Sequence, residues 1–144
     1  MAELVRMSEA TAIGLHAMLV LAAANQPLSA AAAAGNLEVS AAHLSKVLQT
    51  LTRSGLLEAR RGPNGGYALA KPRAEIRLLD IYEALEGPMR RDGCLFAKPV
   101  CRRTSCALGG VVAGVRNQVF EHLRSTTLEN VIAGERRVDV LLSV

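Results

Sequence analysis

The stretch from Ser40 to Ala70 constrains the fold most. Leu56 to Arg60 and Tyr67 to Ala70 are short runs of strand-type residues, and between them lies Arg61-Gly62-Pro63-Asn64-Gly65-Gly66. A loop rich in Gly, Pro and Asn reverses the chain sharply, so the two runs are expected to pair as a hairpin. Just ahead of them, Leu44, Val47, Leu48 and Leu51 fall at i, i+3, i+4 and i+7, the apolar stripe of a helix over about 41–54. Ser40 stands at its N-cap, and Gly55 stands where a left-handed C-terminal residue is wanted.

Two further helical segments come first. Ser8 caps a helix over about 9–24, with Leu15, Met18, Leu19 and Ala22 as its buried stripe, and Gln26-Pro27 stops it. Ser29 opens a short Ala-rich helix, about 30–34, closed by Gly35-Asn36. Residues 10–25 have some look of a signal peptide, but Glu9 and His16 suit such a segment poorly and a core helix explains the stripe. No apolar run approaches the roughly 18 residues of a membrane span. The expectation is a cytoplasmic protein with no membrane partner.

Three helices and then a hairpin is the element order of a winged helix-turn-helix. The expected fold is therefore mainly α, a winged helix-turn-helix followed by a long C-terminal helix. Leu78 to Leu85 forms a short helical pattern closed by Gly87-Pro88, and residues 88–104 show no sustained period. A long helix is expected from about Ser105 to Arg124, with Leu108, Val112, Val115, Val119 and Leu123 on one face and Val111 and Phe120 widening it. Gly109, Gly110 and Gly114 lower its intrinsic helicity, so it needs tertiary or intersubunit packing to persist. Thr127 caps a last short helix through about Ala133. This divides the chain into a winged helix-turn-helix unit at 1–87, a cysteine-containing loop at 88–106, a long-helix region at 105–133 and a tail at 134–144.

Charge falls on the elements that such a fold would use. The net charge is only +4, yet from Ser40 to Arg73 six cations (Lys46, Arg53, Arg60, Arg61, Lys71 and Arg73) face a single anion, Glu58. On the third helix His43, Ser45, Lys46, Gln49 and Arg53 lie off the apolar stripe. Such residues can be presented to the major groove, where Lys pairs with guanine and Gln with adenine, and the first turn favours Ser45 and Lys46. Arg60 and Arg61 could reach phosphates or the minor groove from the hairpin. Ser40 and Asn64 complete the expected DNA-contacting set. The alternative is a solvated helix face beside a functionless basic hairpin, and it does not explain why topology and charge coincide. Aromatic residues make up only 3% of the chain, too few for a single-strand stacking platform. No nucleophile–base constellation, H-E-x-x-H or phosphate-binding glycine motif points to an enzyme.

Cys94, Cys101 and Cys106 lie within thirteen residues, spaced C-x6-C-x4-C. An odd count in a cytoplasmic protein argues against a disulfide framework. Clustered thiolates suit iron–sulfur or soft-metal ligation, and Arg90, Arg91, Lys98, Arg102 and Arg103 would favour the thiolate form. Redox thiols and inert buried thiols remain open on chemistry alone.

The residues also carry a resemblance. His43-Leu44-Ser45-Lys46-Val47-Leu48-Gln49, Arg53-x-Gly55-Leu56-Leu57, Arg61-Gly62-Pro63-Asn64-Gly65-Gly66-Tyr67 and Leu78-Leu79-Asp80-Ile81-Tyr82-Glu83-Ala84-Leu85-Glu86-Gly87 resemble the Rrf-two family of winged-helix iron–sulfur cluster regulators, over residues 7 to about 132. The resemblance implies that 1–87 is a DNA-binding unit, 88–106 a sensor loop and 105–133 a dimerisation region, in a homodimer crossed by the long C-terminal dimerisation helix and bound to an imperfect palindrome in double-stranded promoter DNA, with Ser45, Lys46 and Arg61 at the base-reading or groove-reading positions. It implies that Cys94, Cys101 and Cys106 hold an iron–sulfur cluster, two-iron or four-iron. The cysteine spacing is less even than in the best-known members. Where some members place a ligating His three residues after the third Cys, this chain has Gly109. Others use a carboxylate at the start of the first helix of the partner subunit, which points to Glu9 as fourth ligand. Otherwise Glu9 is a favourable charge at a helix N-terminus. His16, expected at the core edge, and His122 match no ligand position. The resulting expectation is a transcriptional regulator, a repressor, whose operator binding depends on the cluster. A cluster-free regulator sensing thiol oxidation or a small ligand is the alternative. A small iron–sulfur electron-transfer or scaffold protein would not need the basic helix and hairpin.

Overall fold

The computed structural model describes residues 3–101 and 106–134. Three helices come first: α1 (Glu9–Ala23), α2 (Ala30–Leu37) and α3 (Ala41–Arg53). Each has the serine cap expected of it. The Ser8, Ser29 and Ser40 hydroxyls accept from the amides of Thr11, Ala32 and His43 at 3.2, 3.1 and 3.1 Å. Each bond satisfies one of the orphan donors of a helix start. Helix α2 runs past Gly35-Asn36 to Leu37, because Leu37 and Val39 pack on the core and Glu38 makes the left-handed turn (φ 53°) in glycine's place.

The end of α3 is a Schellman motif. Gly55 (φ 80°) lets its amide reach Thr52 O at 3.0 Å and the Leu56 amide reach Leu51 O at 3.1 Å. Leu51 and Leu56 are both buried, so the turn enters the hairpin with its apolar side inward. Strands β1 (Leu57–Arg60) and β2 (Gly66–Leu69) pair antiparallel, with Leu57 opposite Leu69 and Arg60 opposite Gly66.

The wing is tied to the helices by a contact absent from the sequence reading. Leu28, just after Pro27, exchanges both backbone hydrogen bonds with Tyr67, at 3.0 and 2.7 Å. Gly66 (φ 139°) is needed for this, since a Cβ there would run into the Leu28 backbone.

Helix α1 is not a one-sided amphipathic helix. It touches α2, α3, β2, α4 (Leu78–Glu86) and α6 (Leu128–Gly134), and it is buried nearly all round. Met18 and Ala22 of the expected stripe are buried, but so are Ile13, Ala17, Val20 and Leu21, while Leu15 and Leu19 are only half-buried. His16, expected at the core edge, is exposed and bonds back to Ala12 O.

Helix α4 has two apolar sides. Ile81 joins the main core, while Leu79 and Tyr82 form a second cluster with Met89. Helix α5 (Gly109–Ser125) lies on that second side through Val119, Phe120 and Leu123, together with Val5 of the N-terminal segment. The expected face of α5 is thus split: Val112 is buried, whereas Leu108 and Val111 are exposed. Helix α5 starts at Gly109 and not near Ser105, because Cys106 to Leu108 form a turn closed by the Gly109 amide on Cys106 O at 3.0 Å, with Leu108 as the N-cap; Ser105 itself and nearly all of the tail fall outside the described residues. Thr127 caps α6 as expected, in a reciprocal pair with Asn130. The chain then folds back on the DNA-binding unit, with Leu128 N bonded to Ile76 O at 3.0 Å and Leu78 N to Thr126 O at 2.9 Å.

Leu128 is fully buried in the main core. Leu128→Ala should therefore cost the winged unit itself about 2–5 kcal/mol, the range for a deleted core leucine. Urea unfolding followed at fixed protein concentration checks this.

Candidate functional site

Helix α3 turns Leu44, Val47, Leu48 and Leu51 into the core, which leaves its other face to solvent. There Ser40, Lys46, Gln49 and Arg53 are exposed and His43 and Ser45 are half-buried. Gln49 donates to Ser45 Oγ at 3.4 Å and Arg53 to Thr50 Oγ1 at 3.3 Å, so the polar face is loosely organised along the helix. Arg60, Arg61 and Asn64 are exposed on the wing. A shallow depression of about 260 Å³ separates helix from wing and is lined by Gln49, Thr52, Arg53, Ala59 and Tyr67. Arg60 is held by Glu58 at 2.5 Å, an exposed pair of the kind that contributes little and can be exchanged for a phosphate.

Beyond α4 the irregular loop carries the three reduced cysteines, Cys94 half-buried and Cys101 and Cys106 exposed. The arginines expected to favour thiolates are engaged elsewhere. Arg90 is bidentate to Asp92 and also reaches the carbonyls of Cys94 and Phe96. Arg91 lies 4.2 Å over the Phe120 ring and bonds Asn117. Arg102 and Arg103 lie outside the described residues. The Cys101 thiol is pushed up, not down, chiefly by the charge of the neighbouring Cys106 and its hydrogen bond, with a smaller part from Cys94. Among the described residues no set of three or more His, Cys, Asp and Glu side chains is assembled to hold a metal ion. Glu9 sits exposed in the first turn of α1.

The loop is anchored by a residue that the sequence reading passed over. Arg116 of α5 is only 2% exposed. Its Nη1 donates to Asp92 O, Asp92 Oδ1 and Cys94 O at 2.8, 2.8 and 2.5 Å. Its Nε and Nη2 donate to Leu4 O and Glu3 O at 2.7 and 2.8 Å. A signal for it exists: Arg116 lies four residues after Val112 and three before Val119, on the stripe read as apolar. Gly93 is needed where the loop meets α5, since a Cβ there would lie 2.5 Å from Gly109 O.

Glu86 was also missed, because its partners are more than seventy residues away. Its Oε1 accepts from the Ser8 amide at 2.7 Å and the Thr11 hydroxyl at 2.5 Å, and Arg6 pairs with Oε2 at 3.1 Å. Glu86 thereby sets the first turn of α1, where Glu9 stands.

A polar helix face beside a basic two-stranded wing, on a three-helix core, defines a winged-helix DNA-binding protein. The family described as Rrf2, iron-dependent transcriptional regulator, matches residues 7–134, and the chain belongs to it. Protein aau3 of Rhizobium meliloti is 34% identical over 108 residues, 74% of this chain and 70% of that protein. The regulator IscR of Cereibacter sphaeroides is 31% identical over 126 residues, 78% of this chain and 75% of that protein. The structure of CymR (YrzC), the global cysteine regulator of B. subtilis, superimposes with a TM-score of 0.78 at 29% identity, covering 90% of this chain and 98% of that one. The protein is thus a DNA-binding transcriptional regulator of this family, and not an enzyme.

Burial alone would raise the Glu86 carboxyl, but the hydrogen bonds from Ser8 and Thr11 and the Arg6 charge outweigh it and hold it below its ordinary 4.5. The folded state then binds this proton less readily than the unfolded chain. The stabilisation is present above the unfolded value and is lost as pH falls through the lower folded one. Glu86→Gln should lower stability at neutral pH and flatten its decline as pH falls below the ordinary carboxyl value of 4.5, as read by urea unfolding from neutral into acid pH.

Proposed function

We propose that the protein is a homodimeric repressor that reads an imperfect palindrome in double-stranded DNA, and that an iron–sulfur cluster held at Cys94, Cys101 and Cys106 controls this binding. The observation that carries the proposal is the bonding of the cysteine loop, through Cys94 O, to the long helix α5. Whatever moves the loop then acts on the helix expected to join the subunits. Lys46 and Ser45 at the start of α3 would read bases, with Gln49, His43 and Arg53 beside them. Ser40, Arg60, Arg61 and Asn64 would hold the backbone or the minor groove. In the dimer the 1–87 units would stand on either side of a 105–133 region, joined through the exposed Leu108 and Val111. Their α3 helices would lie roughly 34–36 Å apart, one DNA turn, or a small multiple of that distance. The working compartment would be the cytoplasm.

The donor set fits an iron–sulfur group in type, since three reduced thiols share one loop and Cys101 has Cys106 beside it. A three-thiol set also leaves a fourth position, for which Glu9 of the partner subunit is the proposed donor. Bound there, the group would supply redox-active iron. The protein's own part is to present the thiols, hold the loop on α5 and fix the α1 turn that carries Glu9. A second reading, direct thiol oxidation without a cluster, is favoured by the closeness of Cys101 and Cys106 and by the likeness to a cysteine regulator.

Anaerobic reconstitution separates the two readings. Iron and sulfide should be retained by the wild type and lost in Cys94→Ala, Cys101→Ala and Cys106→Ala, while Glu9→Ala keeps the fold but shifts the visible spectrum or speeds cluster loss. Colourless wild-type protein whose thiol count drops on mild oxidation would favour direct thiol sensing.

DNA titrations against specific and scrambled duplexes test the interface. Lys46→Ala should lose about 1–3 kcal/mol of discrimination at one base position. Arg60→Ala should weaken both duplexes alike and reduce the salt slope by about one unit.

A further inference from the structure

Arg116 does more than fill space at the base of the cysteine loop. Arginine is almost never fully buried unless paired, and its carboxylate partner here, Asp92, is itself 53% exposed. The guanidinium is therefore satisfied mainly by four backbone carbonyls, two from the N-terminal segment and two from the loop. Neither pair of acceptors can move away without leaving a buried donor unpaired. That penalty makes the joint stiff.

The N-terminal side of this joint leads straight to the DNA-reading unit. After Leu4 comes Val5, packed in the second cluster, and then Arg6, whose carbonyl accepts from the Tyr82 hydroxyl at 2.7 Å and whose side chain pairs with Glu86. Glu86 holds the Ser8 amide and Thr11, the first turn of α1. Helix α1 packs directly on α3. On the other side, Asp92 Oδ1 accepts from the Cys94 amide at 3.0 Å, so both backbone polar groups of Cys94 are gripped at this point.

We propose that Arg116 is a positioning residue that couples the Cys94 loop to the N-terminal segment 3–8, and through it to α1 and α3. The coupling runs within one subunit. This inference rests on the cysteine loop being the sensing element, and the test separates its failure from the failure of that reading.

Full-length wild type, Arg116→Lys and Asp92→Ala are each prepared in three forms: thiols reduced, thiols carbamidomethylated, and reconstituted with iron and sulfide. Hydrogen exchange is followed at residues 3–12, together with affinity for a duplex selected by the wild type from a randomised pool. Lysine keeps the charge but cannot reach both pairs of acceptors. In the wild type, altering the loop should change exchange at residues 3–12 and affinity by at least about fivefold, the low end of allosteric couplings. In Arg116→Lys the three forms should differ from one another less than about twofold in affinity, and residues 3–12 should exchange alike in all of them. Asp92→Ala, which leaves the Arg116 carbonyl bonds in place, should fall between, and it carries the test if Arg116→Lys does not fold.

A variant that weakens every form equally and keeps the wild-type ratio would make Arg116 a structural plug and overturn the proposal. A wild type in which neither alkylation nor iron alters residues 3–12 would also overturn it. A wild type that takes up no iron, but responds at residues 3–12 to alkylation through Arg116, would uphold the coupling while removing the cluster reading.

Discussion

Burying the Arg116 guanidinium where the N-terminal segment, the cysteine loop and α5 meet costs free energy that only a full set of acceptors offsets. The four carbonyls and the Asp92 carboxylate provide that set, and each acceptor constrains the segment it belongs to. The loop, which has no helix or strand among its described residues, is thereby held against the first turns of α5. Segment 3–8 is laid across α4, where Val5 meets Leu79, Tyr82 and Met89. With this side of α5 used, Leu108 and Val111 remain in solvent, with Phe96 and Val100 exposed on the loop. Those residues are the ones left free for the intersubunit packing proposed for α5.

Around this joint the DNA-binding unit is organised by α1. A helix in contact with α2, α3, β2, α4 and α6 cannot shift without disturbing all of them. Gly14 illustrates how close the packing is, since a Cβ there would strike Leu85 and press on Val47. The wing is equally committed: its second strand is paired on one side with β1 and on the other with Leu28. The spacing between α3 and the wing is therefore a property of the whole core. A regulator needs that rigidity, because small displacements then reach the DNA-reading elements undamped.

Membership of the Rrf2 family supplies the activity, binding DNA to regulate transcription, and the structure leaves the polar face of α3 and the wing tip exposed. The sensing chemistry is a separate matter. A fold does not dictate a ligand, and family relatives include both an IscR and a structure named as a cysteine regulator. In this chain the three thiols share a loop but do not form a complete donor set among the described residues.

What was legible in the sequence was local or periodic. The Ser caps, the Gly55 terminus, the α3 stripe and the Gly-Pro-Asn turn are set by interactions within a few residues, and each took its expected form. The residues proposed to face DNA were legible because they are what the α3 stripe leaves over to solvent. What only the tertiary structure decided involves partners far apart in sequence. Leu28 pairs with Tyr67, Glu86 with Ser8 and Thr11, and Arg116 with Glu3, Leu4, Asp92 and Cys94. The all-round burial of α1 and the return of α6 to the core also belong here. Periodicity reports which face of a helix is apolar, but not how many neighbours will cover it. It also reads a buried cation as a surface one, because the acceptors that make its burial tolerable are backbone carbonyls, which every residue carries and no sequence pattern marks.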